Sequence, residues 1–325
     1  PTLTIALAWF LLGFRIMYQR TRDPGWLATY KLWVKIFDLA LLGLGILVVG
    51  KYATDVQVAI FALALSLQGP GTVFLGGILN IWAPVVSDLH AKNAIDRLEA
   101  LYQTINRWIA TFSFPLFAVM IIEGDIFLRT FFPNVFPGAV AVVAFVALGN
   151  LFYTGTGPTG YVISMTGRPG VNFANSIVAV LLYGVLGWYI VPKHGAVGMA
   201  VVDAIVTAAI NSVRVVQAKL LVGVQPFGRS FYKPVTATLV AGAVLFAWSR
   251  VAQGSWPLEW AGIAGAAVVY LAILKMLGLV HNHREGKTSV YDCAPGRVRL
   301  DRDGGRLALT VMGGNGGWVT VGVPA

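Results

Sequence analysis

Apolar residues run in long, nearly uninterrupted blocks along this chain, and polar residues come in short bursts between them. A helix needs about 20 such residues to cross a hydrocarbon core. That criterion predicts nine spans, at about 1–17, 32–50, 56–86, 108–132, 138–163, 171–191, 196–222, 233–250 and 258–279. Each is expected to be a helix, because a helix satisfies every backbone group within its own segment in lipid. Strand-like alternation is absent from these blocks. The third span is expected to break near Gln68-Gly69-Pro70-Gly71 and the fourth to bend at Pro115. The fifth should loosen where Gly155, Gly157, Pro158 and Gly160 fall. Between the third and fourth, Ser87 to Asn106 is charged and amphipathic, and reads as a surface helix lying on the polar side of the bilayer.

Beyond Val280 the pattern changes. Arg306 to Met312 and Trp318 to Val323 alternate, with Gly-Gly-Asn-Gly-Gly between them, which is a hairpin signature. A lone hairpin is marginal, so the tail 281–325 is expected to be a small hairpin or poorly ordered. A shift of reading frame near Val280 would also produce such a change. At the other end the chain opens inside an apolar block, with neither Met nor a basic leader. The expectation is a fragment lacking its N-terminal part.

Composition makes the class firm. Of 325 residues 57% are hydrophobic and 12% charged, against about 25% charged in soluble domains. The fold class is therefore an all-α polytopic membrane protein. A net charge of +10 would suggest nucleic acid in a soluble protein, but here the cations sit in short loops. Leaving out the distal tail, the loops after odd-numbered spans together with the span ends beside them hold fourteen Lys and Arg, among them Arg20, Lys92, Arg168, Arg214 and Lys275. Loops after even-numbered spans hold four: Lys51, Arg129, Lys193 and Arg250. The positive-inside rule then puts the odd loops and the C-terminus in the cytoplasm, in a multi-pass protein of the cytoplasmic membrane with no nucleic-acid partner.

Motifs for catalysis are absent from the sequence. Cys293 is the single cysteine, so neither an internal disulfide nor a cysteine-rich metal site is expected. His281 and His283 flank Asn282 in what reads as a solvated turn rather than a metal site. There is no Gly-x-Ser-x-Gly, and Thr154–Gly160 lacks the lysine of a phosphate-binding loop. No cofactor or metal is expected, and the chain reads as a non-enzyme.

The informative residues are polar side chains inside spans, where charge is costly and faces a bundle interior or a wet cavity. Lys35 and Asp38, one turn apart, suit a structural ion pair or a cavity role. Asp203 has no basic residue within a helical turn; it suits either a wet outer mouth or a cavity with proton coupling. Asn80, Asn150, Asn172, Asn175 and Asn211 could bond between helices or contact a substrate. Arg15 could snorkel to the cytoplasmic face. Glu123 and Asp125 read as a solvated outer rim.

Several stretches, taken in order, resemble one family. They are LLGLGILVVGKYATDVQVAIFALALSL (41–67), APVVSDLHAKNAIDRLEALYQTINRWIATFSFPLF (83–117), FFPNVFPGAVAVVAFVALGNLF (131–152), TGPTGYVISMTGRP (156–169), IVPKHGAVGMAVVDAI (190–205) and GVQPFGRSFYKPV (223–235). Together they resemble the C-terminal half of a Wzx-type flippase for polysaccharide or lipid-linked oligosaccharide, of the multidrug/oligosaccharidyl-lipid/polysaccharide exporter superfamily. The resemblance covers about 1–280.

It implies two six-helix lobes followed by two extra helices. On that plan 1–17 is the last helix of a truncated N-terminal lobe, 28–222 the six-helix C-terminal lobe, 223–280 the extra pair, and 281–325 a cytoplasmic tail without counterpart. The implied activity is transport of a polyprenyl-pyrophosphate-linked oligosaccharide by alternating access, for surface polysaccharide or lipopolysaccharide biosynthesis. The implied partners are that substrate, membrane lipid and other polysaccharide-assembly proteins. On this reading Arg15 and Lys35 would attract the pyrophosphate, and Asp38 or Asp203 would couple an ion. Asn80, Asn150 and Asn175 would line the path. The alternatives are a drug or cation exporter of the same superfamily, a membrane enzyme of polysaccharide assembly, and a non-transporting scaffold.

Overall fold

The structure is a computed structural model that describes residues 43–131, 138–252, 255–278, 288–293, 296–303, 306–312 and 318–322. The first span and most of the second lie outside the described residues, and with them Arg15, Lys35 and Asp38. So do the His281–His283 turn and the Gly-Gly-Asn-Gly-Gly link.

Between 43 and 278 the regular elements among the described residues are all helices. After α1 (Gly43–Tyr52) come α2 (Asp55–Ala91), α3 (Ile95–Ile122), α4 (Gly124–Phe131), α5 (Ala139–Thr156) and α6 (Thr159–Met165). The long α7 (Pro169–Val222) follows, then α8 (Tyr232–Val251) and α9 (Trp256–Met276). Among the described residues six helices, α2, α3, α5, α7, α8 and α9, are long and apolar enough to cross a membrane.

α7, at 54 residues, is two helices merged across a kink. Gly195 leaves helical geometry with φ 56° and ψ −141°, a region open to glycine and strained for other residues. Across the bend Asn175 pairs with Gln217, Ser176 with Arg214, and Tyr183 with Asp203. Advancing along one arm is retreating along the other, so the arms form an antiparallel helical hairpin. Gln57 of α2 fixes the bend by accepting the Ala196 N–H at 3.1 Å.

Three local expectations are corrected. α2 runs unbroken through Gly69-Pro70-Gly71 and on through Pro84. Ser87–Asn106 is not a separate surface helix. α2 continues to Ala91, the chain turns at Lys92–Ala94 with Asn93 at φ 54°, and α3 starts at Ile95. At 37 residues, α2 is about 56 Å long, well beyond a hydrocarbon core of about 30 Å. Its overhang and that of α3 pack as a hairpin because Trp82, Val86, Leu98 and Tyr102 keep helical spacing. These four form a buried cluster with Val162 and Val224. Lastly, the fourth span stops at Ile122 rather than Phe132, and α4 begins at Gly124.

The main core joins α2, α3, α5 and both arms of α7 through Ile60, Phe61, Phe117, Val146, Met199 and their neighbours. α8 and α9 share a smaller core of Ala237, Ala241, Tyr270 and Leu274. That pair meets α3 where Tyr270 Oη donates to the Thr111 carbonyl at 2.7 Å. Pro115 has no N–H to give that carbonyl, so the tyrosine replaces the missing helix bond.

Among its described residues the tail is a four-stranded sheet rather than a lone hairpin. β1 (Thr288–Cys293), β2 (Gly296–Asp303), β3 (Arg306–Met312) and β4 (Trp318–Gly322) form an antiparallel meander in the order β1-β2-β3-β4. The expected hairpin is β3–β4, paired from Met312 opposite Trp318 to Ala308 opposite Gly322. Two further strands give it the partners an isolated hairpin lacks.

Candidate functional site

Buried polar groups gather at one end of the bundle, where three cation-bearing loops meet. Arg168 Nη1 donates to the Leu221 carbonyl at 2.5 Å, a cation on a helix C-terminus. Gly228 packs against Gln103, so the 223–231 link lies on the start of α3. The α2–α3 turn completes this end.

The centre is the gap between α5 and α6. Gly157 takes φ 64° and Pro158 supplies no N–H, so carbonyls near the end of α5 lose helical partners. Side chains from α3 take over. Asn106 Nδ2 donates to the Gly155 carbonyl at 2.9 Å and to Pro226 at 3.2 Å. Tyr102 Oη lies 3.1 Å from the Thr156 carbonyl and 2.5 Å from Thr159 Oγ1. Tyr102, Asn106, Thr154 and Thr159 are fully buried. Trp82 stacks on Tyr102 with centroids 5.8 Å apart. A side chain at Gly157 would collide with Asn106 Oδ1, which explains glycine there twice over.

α7 walls the other side. Asn172 Nδ2 donates to Ser164 Oγ at 3.2 Å, and its Oδ1 lies against Gly160. Asn175 and Gln217 exchange amide bonds of 2.5 and 3.0 Å. Arg214 Nη2 reaches Ser176 Oγ at 3.3 Å. Arg214, grouped with the loop cations in the charge pattern, is thus inside a helix.

Further toward the opposite end, Tyr183 Oη donates to Asp203 Oδ1 at 3.0 Å. Gly149 of α5 abuts Ala204 and Asp203, and Gly45 of α1 abuts Tyr183. Four helical segments therefore converge on this tyrosine–carboxylate pair, and two glycines permit the approach.

Of the sequence candidates, Asn175 makes the interhelical bond expected of it. Asn150 and Asn211 instead donate to Val146 and Thr207 on their own helices. An amide one turn beyond a carbonyl meets that partner first. Asn80 lies in α2, and its side chain is outside what the structure describes. Asp203 is distant from the α5–α6 gap along α7. Sequence reading missed Tyr102 and Asn106, assigned to a surface connector, and also Tyr183, Ser176 and Gln217. Helical spacing alone could have placed Trp82 and Tyr102 on one apolar face, but nothing in the pattern announced a partner 49 residues away for Asn106.

Glu123 is a further correction. It is 3% exposed, not a solvated rim, because the chain folds back into α4 directly after it. Among the described residues no cluster of His, Cys, Asp and Glu could hold a metal ion.

These features define a multi-pass helical membrane protein with a broken helix set in a buried polar seam. Compared with models of known protein families and with curated proteins, the chain matches none.

Proposed function

We propose that the chain carries a transport lobe that moves a polyprenyl-pyrophosphate-linked oligosaccharide across the cytoplasmic membrane by alternating access. The observation that carries this reading is the interruption of a membrane-length helix at Gly157–Pro158 among buried amides, hydroxyls and Arg214. An irregular backbone at membrane depth is tolerated where protein or a wet cavity receives it, and transporters use such breaks to line and reshape a path. A static apolar scaffold gains nothing from them. The resemblance supplies the substrate class.

On this reading nine spans are present, 28–222 is the lobe, 223–280 is the extra pair, and the C-terminus is cytoplasmic. The lipid tail stays in the bilayer while sugar and pyrophosphate pass along the polar seam. Arg15 and Lys35 attract the pyrophosphate. Asp203, held by Tyr183 where four helical segments meet, or Asp38 couples an ion. Asn80, Asn150 and Asn175 belong to the path, the last through its bond to Gln217.

The test is a proteoliposome assay with a short lipid-linked oligosaccharide, scored by the fraction reaching the far leaflet. The wild-type chain should translocate it, and Asn175→Ala with Gln217→Ala should lose most of the rate at unchanged protein level. Cationic dye movement without oligosaccharide movement would make it a drug exporter. Movement of neither, by a correctly folded chain, would favour the scaffold.

A further inference from the structure

At the end of the bundle opposite the polar seam, two carboxylates hold one guanidinium and a third, Glu123, lies within electrostatic reach of all three groups. Arg129 of α4 pairs with Asp125 of its own helix, and its Nη2 reaches Glu259 Oε1 of α9 at 3.4 Å. Glu259 is 3% exposed, as is Glu123. Glu123 Oε1 is buried with no hydrogen-bond partner. Asp125 and Glu259 both act on Glu123 electrostatically, and Arg129 opposes them. Among the described residues, the other elements packed here bring no charge. α5 presents Val140 and Val143 to Gly124, and α8 meets Ile122 through Gly242. Three full negative charges against one positive charge would leave excess charge in a part-buried site, which is costly.

We propose that Glu123 is a proton-binding site whose occupancy clasps the α8–α9 pair to the α3–α4 junction. With the proton on, only two carboxylates share Arg129 and the excess at the α4–α9 bridge is a single negative charge. When Glu123 releases it, a third negative charge competes for the same guanidinium and repels Glu259, so the start of α9 loosens. One O–H bond forms or breaks, and nothing else is exchanged. Tyr270 on Thr111 holds α9 along its length, so the opening is confined to the α9 start. This clasp does not depend on what the polar seam carries.

The direction with pH follows from the carboxyl's environment. Burial, then Asp125 and Glu259, push Glu123 up to about 7, with Arg129 pulling the other way. A carboxyl raised by folding stabilises the fold while protonated, and that stabilisation is lost as pH rises through about 7.

The test is hydrogen exchange on the full chain in phospholipid nanodiscs, read as protection factors for 255–262. Measurements are made roughly one unit below and one unit above the Glu123 midpoint. Protection should fall by at least about threefold at the higher pH. Glu123→Gln should hold the low-pH value at both. Asp125→Asn should move the transition to lower pH, since it removes a charge that raises Glu123. An infrared band from a buried protonated carboxyl should fade over the same range in the wild type, whatever the variants do. Equal protection at both pH values, a pH dependence that survives Glu123→Gln, or no fading band overturns the proposal.

Discussion

Gly69-Pro70-Gly71 in α2 and Gly155-Thr156-Gly157-Pro158 at the α5–α6 junction carry the same helix breakers, yet the chain stays helical through the first and unwinds at the second. At the first, Thr72 Oγ1 returns to the Gln68 and Gly69 carbonyls at 3.1 Å, and Ser113 Oγ donates to Gly71 at 2.6 Å. At the second, Gly157 goes to positive φ, and Asn106 and Tyr102 hold the Gly155 and Thr156 carbonyls. Proline frees a carbonyl and removes an N–H in either place. What differs is whether neighbouring side chains support the helix or hold its loose end. Unwinding is therefore a property of α3 as much as of the glycines.

The largest effect should come from breaking the second site. Asn106→Ala removes both amide bonds and leaves the Gly155 and Pro226 carbonyls buried without that donor. At about 1–3 kcal/mol for each unsatisfied group, a loss of roughly 3–5 kcal/mol is expected in unfolding measured in lipid or mild detergent. An effect below about 1 kcal/mol would mean that the gap is held by backbone geometry alone. Gly157→Ala should follow, at about 2–3 kcal/mol, from positive-φ strain together with the collision with Asn106.

The helical site has its own weak point. A Cβ at Gly71 would enter the Phe117 ring, which is fully buried. Overpacking of this kind costs about 1–3 kcal/mol, so Gly71→Ala should destabilise through α3 while α2 remains a helix. Circular dichroism at unchanged helix content with a lower midpoint is the expected result. Tyr270→Phe tests the same logic at Pro115, where removing the hydroxyl orphans the Thr111 carbonyl; about 1–2 kcal/mol is expected.

The comparison also shows where sequence reading succeeds. Spans were readable because apolar runs are a bulk property that lipid demands segment by segment. The starts of α8 and α9 and the β3–β4 hairpin fell close to expectation for that reason and for their local turn signals. The break expected at Pro70 does not occur, and the pattern could not show this because the supporting Ser113 and the packed Phe117 lie more than 40 positions away. Asn106 was invisible as a site residue for the same reason: an amide near a charged stretch looks solvated until its carbonyl partners are known. Glu123 misled differently. A carboxylate at a span end reads as wet, and only the return of the chain through α4 buries it.

The smallest effect is also the sharpest test of the contrast. Pro70→Ala restores an N–H at the position that would bond the Ser66 carbonyl, inside a helix already formed, so it should stabilise by about 1 kcal/mol. Pro158→Ala restores an N–H where no helix runs. Gly157 remains at positive φ, and Asn106 and Tyr102 remain on the freed carbonyls, so the break should persist and stability should change by less than about 0.5 kcal/mol. Hydrogen exchange at 155–162 distinguishes the outcomes. If Pro158→Ala gave continuous helical protection from α5 into α6, the proline rather than its neighbours would be what holds the helix open.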